Sequence, residues 1–212
     1  MNLPNKLTIF RIILVPIMVI IPFLGIKGRI FGIPTEWIII DLIFIIASIT
    51  DKLDGYLARK NNQVTNFGKF LDPIADKILV VAAMILFVEM GRLPAWIPII
   101  VIFREFAVSG YRLIAVQNSG KVIAANVWGK LKTVTQMIAI ILMFLTTQPY
   151  FAFVFRAKTE QDALVNSALT YMTTGDFVMN ILASIFMTIS VIATIFSGYE
   201  YLKGGKDLLK DC

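Results

Sequence analysis

Apolar sequence of bilayer length recurs along this chain and leaves few folds open to it. The stretches Leu7 to Ile26, Trp37 to Thr50 continuing to Ala58, Phe70 to Val88, Ala95 to Val116, Val127 to Thr147 and Phe177 to Tyr201 stand out. Each approaches the ~20 residues that cross a hydrocarbon core as an α-helix. Composition agrees, since 58% of the 212 residues are hydrophobic and only 16% are charged, the profile of an integral membrane protein. The expected fold is all-α, with about six transmembrane helices. Connections are mostly short and no Gly/Ser linker or repeat interrupts them, so residues 1–212 read as a single domain. The first stretch is long, contains Pro16 and Pro22 and is followed by no small-residue cleavage site, so it is expected to stay in the mature protein. One connection is longer. Gln148 to Gly175 mixes Tyr150, Phe151, Phe153 and Phe155 with Arg156, Lys158, Glu160 and Asp162, which suits either an interfacial amphipathic helix or a loop.

Loops that remain in the cytoplasm carry an excess of Lys and Arg. With the N-terminus inside, the outer ends hold Lys27, Arg29, Arg92, Arg156 and Lys158, and Arg104 falls within a span. The other basic residues, Arg11, Lys52, Arg59, Lys77, Lys121 and Lys203 among them, gather at the inner ends. Both termini and the loop between the second and third spans should therefore be cytoplasmic. The net charge of +6 is spread over these juxtamembrane positions, which points to anionic membrane lipids rather than nucleic acid. The lone cysteine, Cys212, and the absence of histidine exclude an internal disulfide, the usual zinc ligands, catalytic triads and imidazole bases. Carboxylates, Lys, Arg, hydroxyls and bound ions are left to do any chemistry.

Against that background residues 48–77, SITDKLDGYLARKNNQVTNFGKFLDPIADK, are conspicuous. A charge inside a span costs about 2.5 to 3.5 kcal/mol on insertion scales, yet Asp51, Asp54, Asp72 and Asp76 cluster at the ends of two spans. Asp51 and Asp54 are three apart at the end of the second helix, and Asp72 and Asp76 four apart at the start of the third. Each pair thus shares a helical face. A short loop between antiparallel helices would bring the pairs together, where bare carboxylates would repel unless protonated or bridged by cations. All-oxygen ligands suit hard divalent ions such as Mg2+, Mn2+ or Ca2+, and four carboxylates suffice for a two-metal site. Taken singly, Asp72 followed by Pro73 could be a helix cap, and Asp51 or Asp54 could pair with Lys52, Lys77 or Arg59. Gly55, Ala58 and Gly68 set minimal side chains beside the carboxylates, either for a ligand approaching the backbone or for close helix packing.

The pattern Asp51-x-x-Asp54-Gly55-x-x-Ala58-Arg59, then Gly68-x-x-x-Asp72-x-x-x-Asp76, resembles the signature of the CDP-alcohol phosphatidyltransferases at every defining position. The resemblance implies six transmembrane helices, a multi-pass protein of the bacterial inner membrane, a cytoplasm-facing site and a homodimer. It implies two divalent metal ions, Mg2+ or Mn2+, held by Asp51, Asp54, Asp72 and Asp76, with Asp76 also the catalytic general base. Gly55, Ala58, Arg59 and Gly68 would then bind the CDP-lipid, CDP-diacylglycerol.

The opening NLPNKLTIFRIILVP, FREFAVSGYR from Phe103 to Arg112 and GKLKTVTQ from Gly129 to Gln136 resemble the members of that family whose acceptor alcohol is glycerol 3-phosphate. Charge is consistent with this dianion, because Arg112, Lys130 and Lys132 fall at inner ends where three cations could receive a phosphate. Glu105, seven residues before Arg112 on the same face, could orient that arginine. Arg104 reads as a binding residue, a structural partner or a snorkelling one. Inositol phosphate, serine or a phosphatidyl lipid would be the alternative acceptors. A divalent-cation transporter is the reading from another class, but its carboxylates belong near mid-membrane rather than at one edge.

Overall fold

Lipid offers no partner to backbone N–H and C=O groups, so a chain of this kind must satisfy them within helices. The computed structural model, which describes residues 2–60, 66–119, 127–151 and 174–204, has this form. Its helices are α1 (Leu3–Ile20), α2 (Thr35–Lys60), α3 (Asn66–Glu89), α4 (Trp96–Ser119), α5 (Val127–Phe144) and α6 (Thr174–Gly204). The protein is an all-α membrane protein with six helices among the described residues. Most of the long connection, 152–173, lies outside them, and with it the choice between interfacial helix and loop.

Among the described residues, length and composition alone qualify three segments as spans: Asn5–Leu24, Val127–Phe144 and Gly175–Tyr201. Helices α2, α3 and α4 are long enough, at 26, 24 and 24 residues, but they carry charges along their length. Asp41, Asp51 and Asp54 lie in α2, Asp72, Asp76 and Lys77 in α3, and Arg104, Glu105 and Arg112 in α4. Those are the helices on which the candidate site is built. Helix α3 also starts earlier than its apolar run, so Asp72 and Asp76 lie about two and three turns inside it. Pro73 therefore does not open the helix, and Asp72 does not cap it.

The turns explain why the helices stop where they do. Past α1 a 3-10 turn, Ile21–Leu24, ends at Gly25 in the left-handed region. A two-residue hairpin follows, β1 (Arg29–Ile30) pairing with β2 (Ile33–Pro34). Its central residues Phe31 and Gly32 both have positive φ, 52° and 83°, as a type I′ turn requires. Helix α3 closes on Gly91, at φ 65°. There Arg92 N–H donates to Phe87 O at 2.8 Å and Gly91 N–H to Val88 O at 2.9 Å, a Schellman cap that turns the chain into α4.

Arg92 then ties this end together. It is 4% exposed, and its guanidinium lies 4.4 Å from the centroid of the Trp37 ring at the start of α2. It donates to the carbonyls of Met143 and Thr146, satisfying orphan acceptors at the negative end of α5. Its own carbonyl accepts from Tyr150 N–H at 2.8 Å. The apolar core occupies the same half, with Val15, Met18, Phe44, Leu79, Ala83, Phe87, Ile140, Phe144 and Met187 packed together and the Phe87 and Phe144 rings 4.3 Å apart. Outward-facing Ile13, Ile17, Ile46, Ile85, Phe103 and Phe106 remain exposed, as a lipid-facing belt does. The opposite half is polar.

Candidate active site

At that polar end a cavity of about 420 Å3 lies between α3, α4 and α5, lined by Asp76, Lys77, Arg104, Glu105, Ser109 and Lys132 among others. Helical spacing puts Asp76, Val80 and Val81 on one wall and Val101, Glu105, Val108 and Ser109 on another. Lys77 reaches across from α3 and donates to Ser109 Oγ on α4. Glu105 collects two cations on one oxygen: Lys132 Nζ donates to its Oε1 at 2.7 Å, and Arg104 Nη1 to the same atom at 2.8 Å. Lys132, with its side chain 8% exposed, is held from across the cavity. Such charge-assisted bonds contribute about 1.5–3 kcal/mol each, enough to keep the ammonium at a fixed place in the cavity wall.

Arg104 is anchored on its other side. Its Nη2 donates to Ser197 Oγ on α6, and its guanidinium lies 5.8 Å from the Tyr201 ring centroid. A mid-span arginine so engaged is a brace between α4 and α6 as well as a cavity wall. Glu105 meets Lys132 and Arg104, neither of which is the Arg112 partner that spacing suggested; the Arg112 side chain lies outside the described residues. Lys130 is exposed and absent from the cavity lining, whereas Lys132 is buried in it. Two residues apart on a helix, they point about 200° from each other.

Of the four aspartates, the side chains of Asp51 on α2 and Asp76 on α3 are described, and Asp76 lines the cavity. Asp51 Oδ1 accepts from Arg11 Nη1 of α1 at 2.6 Å, with the Arg11 side chain fully buried and that of Asp51 31% exposed. Asp76 is within electrostatic reach of Asp51, Lys132, Glu105 and Arg11, so one field links α1, α2, α3, α4 and α5. Gly55, Ala58 and Arg59 follow Asp54 in α2, and Gly68 precedes Asp72 in α3. The structure describes the helical backbone at these six positions but not their side chains. Among the described residues no three potential ligands come together. The donor chemistry of Asp51 and Asp76, two carboxylates within electrostatic reach of each other and with no His or Cys among the described residues, fits a hard divalent cation.

Sequence reasoning took Arg11 and Lys77 only as basic residues near the membrane or partners of an aspartate, and passed over Ser109. Arg11 had a signal: a single charge inside the apolar run TIFRIILV must find a partner when the helix packs. The Lys77 to Ser109 bond had none, because it depends on how α3 and α4 face each other.

The sequence matches the family model for CDP-alcohol phosphatidyltransferase over residues 1–196. The chain belongs to that family. Among its relatives is a protein of Bacillus subtilis, 41% identical over 214 residues that cover 99% of this chain and 97% of the other. Another comes from Haemophilus influenzae, 39% identical and covering 99% and 96%, and a third from Rickettsia typhi, 34% identical over 208 residues and covering 97% of each. All three are named CDP-diacylglycerol--glycerol-3-phosphate 3-phosphatidyltransferase.

Proposed function

We propose that the protein transfers the phosphatidyl group of CDP-diacylglycerol to glycerol 3-phosphate, giving phosphatidylglycerophosphate and CMP. The observation that carries this reading is the cavity in which a carboxylate, Asp76, shares a wall with Lys77 and faces Lys132. It offers a base for an alcohol and cations for a phosphate in one enclosure. The names of near full-length relatives support the same acceptor.

In this scheme Asp76 accepts the proton of the acceptor hydroxyl as its oxygen attacks the lipid-side phosphorus. The phosphoanhydride bond breaks and CMP departs, so charge and atoms balance. Lys132, fixed by Glu105, and Lys77 hold the acceptor phosphate, and Arg112 and Lys130 add positive charge at the inner ends of their helices. Orientation matters more than strength here, since holding both reactants in line supplies much of the rate enhancement. Gly55, Ala58, Arg59 and Gly68 receive the CDP moiety. An apolar groove of about 300 Å3 between α3 and α4 shares Lys77 and Glu105 with the cavity and would let acyl chains stay in the bilayer. Asp51, Asp54, Asp72 and Asp76 would hold the divalent ions, Mg2+ or Mn2+, whose contribution when bound is to neutralise the diphosphate. We place the whole of residues 1–212 in one catalytic domain of a bacterial inner membrane, as a homodimer, with the cavity and both termini cytoplasmic.

The decisive experiment is CMP release by purified protein given CDP-diacylglycerol and, in turn, glycerol 3-phosphate, inositol phosphate, serine and a phosphatidyl lipid. Release with glycerol 3-phosphate alone, abolished by a chelator and restored by Mg2+ or Mn2+, is the expected result. It should fall by orders of magnitude in Asp51→Asn and Asp76→Asn. Turnover with a different acceptor and none with glycerol 3-phosphate would overturn the acceptor, and undiminished turnover in chelator would overturn the metal.

A further inference from the structure

Among the described residues Arg11 is the largest fully buried charged side chain, at 0% exposure, and it sits in the middle of the largely apolar helix α1. Burying a guanidinium in such surroundings costs several kcal/mol unless a partner compensates it, so the fold has a reason to spend an anion there. Asp51 supplies a compensating charge, its Oδ1 accepting from Arg11 Nη1 at 2.6 Å across 40 residues of sequence. It is also the first aspartate of the motif, and Arg11 acts electrostatically on the last, Asp76.

We propose that Arg11 is a built-in counter-cation of the aspartate cluster: a fixed positive charge that balances Asp51 while no divalent ion is bound and holds its carboxylate ready for one. The inference rests on the reading that these aspartates hold divalent ions. Without metal Asp51 and Asp76 repel each other, and one permanent cation paired with Asp51 removes part of that repulsion. The same charge weakens the pull on an incoming ion, which keeps binding reversible. Arg11 is thus a positioning residue, distinct in its consequences from a simple pin between α1 and α2. A pin stabilises equally with and without metal; a counter-cation matters most when metal is absent.

Thermal unfolding in detergent, in chelator and in saturating Mg2+, separates the two. In chelator Arg11→Met is expected to melt about 5–10 °C below the wild type, and saturating Mg2+ should recover at least half of that gap, so its metal-dependent rise exceeds the wild-type rise. Arg11→Lys, which keeps the charge, should stay within about half of the Arg11→Met loss in chelator. If Arg11→Met does not fold, the pair Arg11→Met/Asp51→Asn, which removes both charges, should fold and melt closer to the wild type in chelator. Equal losses for Arg11→Met with and without Mg2+, or a double variant that also fails to fold, would overturn the counter-cation. A wild type whose melting ignores Mg2+ and Mn2+ altogether would instead sink the metal reading, and the inference with it.

Discussion

Lys130 and Lys132 are indistinguishable as cations at the inner end of a span, and the structure separates them. Lys132 enters the cavity and is gripped by Glu105, while Lys130 is exposed on the other side of α5. Lys132→Met should lower kcat/KM for glycerol 3-phosphate about ten- to a hundredfold, with the KM for CDP-diacylglycerol little changed. Lys130→Ala should stay within about threefold of the wild type, because an exposed cation contributes little. Steady-state kinetics with each substrate varied in turn checks both, and equal losses in the two variants would contradict this division of labour. The aspartates were legible in the sequence because their cost in lipid and their 3 and 4 residue spacing announce them. Partners were not: by helical spacing or cavity width Arg104, Arg112, Lys77 and Lys132 are all candidates for Glu105, and only the packing of α4 on α6, with α5 across the cavity, selects Lys132 and Arg104.

Helices were the most legible part of the chain, since apolar length and the need to satisfy backbone groups leave one answer. Every described helix contains or overlaps the apolar stretch that predicted it. The ends were less so. The hairpin at residues 29–34 rests on two residues with positive φ, one of them Phe31, a choice that propensity argues against. Arg92 reads as one more basic residue near the membrane, yet it packs on Trp37 and caps α5. The hairpin also provides a test of orientation. Phe31 is 98% exposed at its tip, at the end of the bundle opposite the cavity. In a Cys212→Ser background, Phe31→Cys should react with an impermeant thiol reagent added outside the cell. Ser119→Cys, where α4 ends at the cavity side, should react only after the membrane is opened. The reverse pattern would put the candidate site outside, away from any cytosolic nucleotide.

The six helices form a body that is apolar and closely packed at one end and polar and hollow at the other. Composition foretold a membrane protein and the motif foretold where the aspartates would fall along the chain, but the division of the interior comes from contacts between helices far apart in sequence. Tight apolar packing around Phe87, Phe144 and Met187 gives the hairpin end the many small contacts that make local opening costly. The cavity end depends on a few ion pairs and hydroxyl bonds around an open space. Hydrogen exchange should therefore run in a gradient along each helix, with slow amides near Phe87 and Met143 and faster ones near Asp76 and Lys132. Uniform exchange along α3 and α5 would contradict that picture. The wider consequence concerns evolution of the activity: with its stability lodged in one end, the bundle is a socket whose foundation tolerates rewiring above it, and a change of acceptor needs only new charges around the hollow, leaving the foundation untouched.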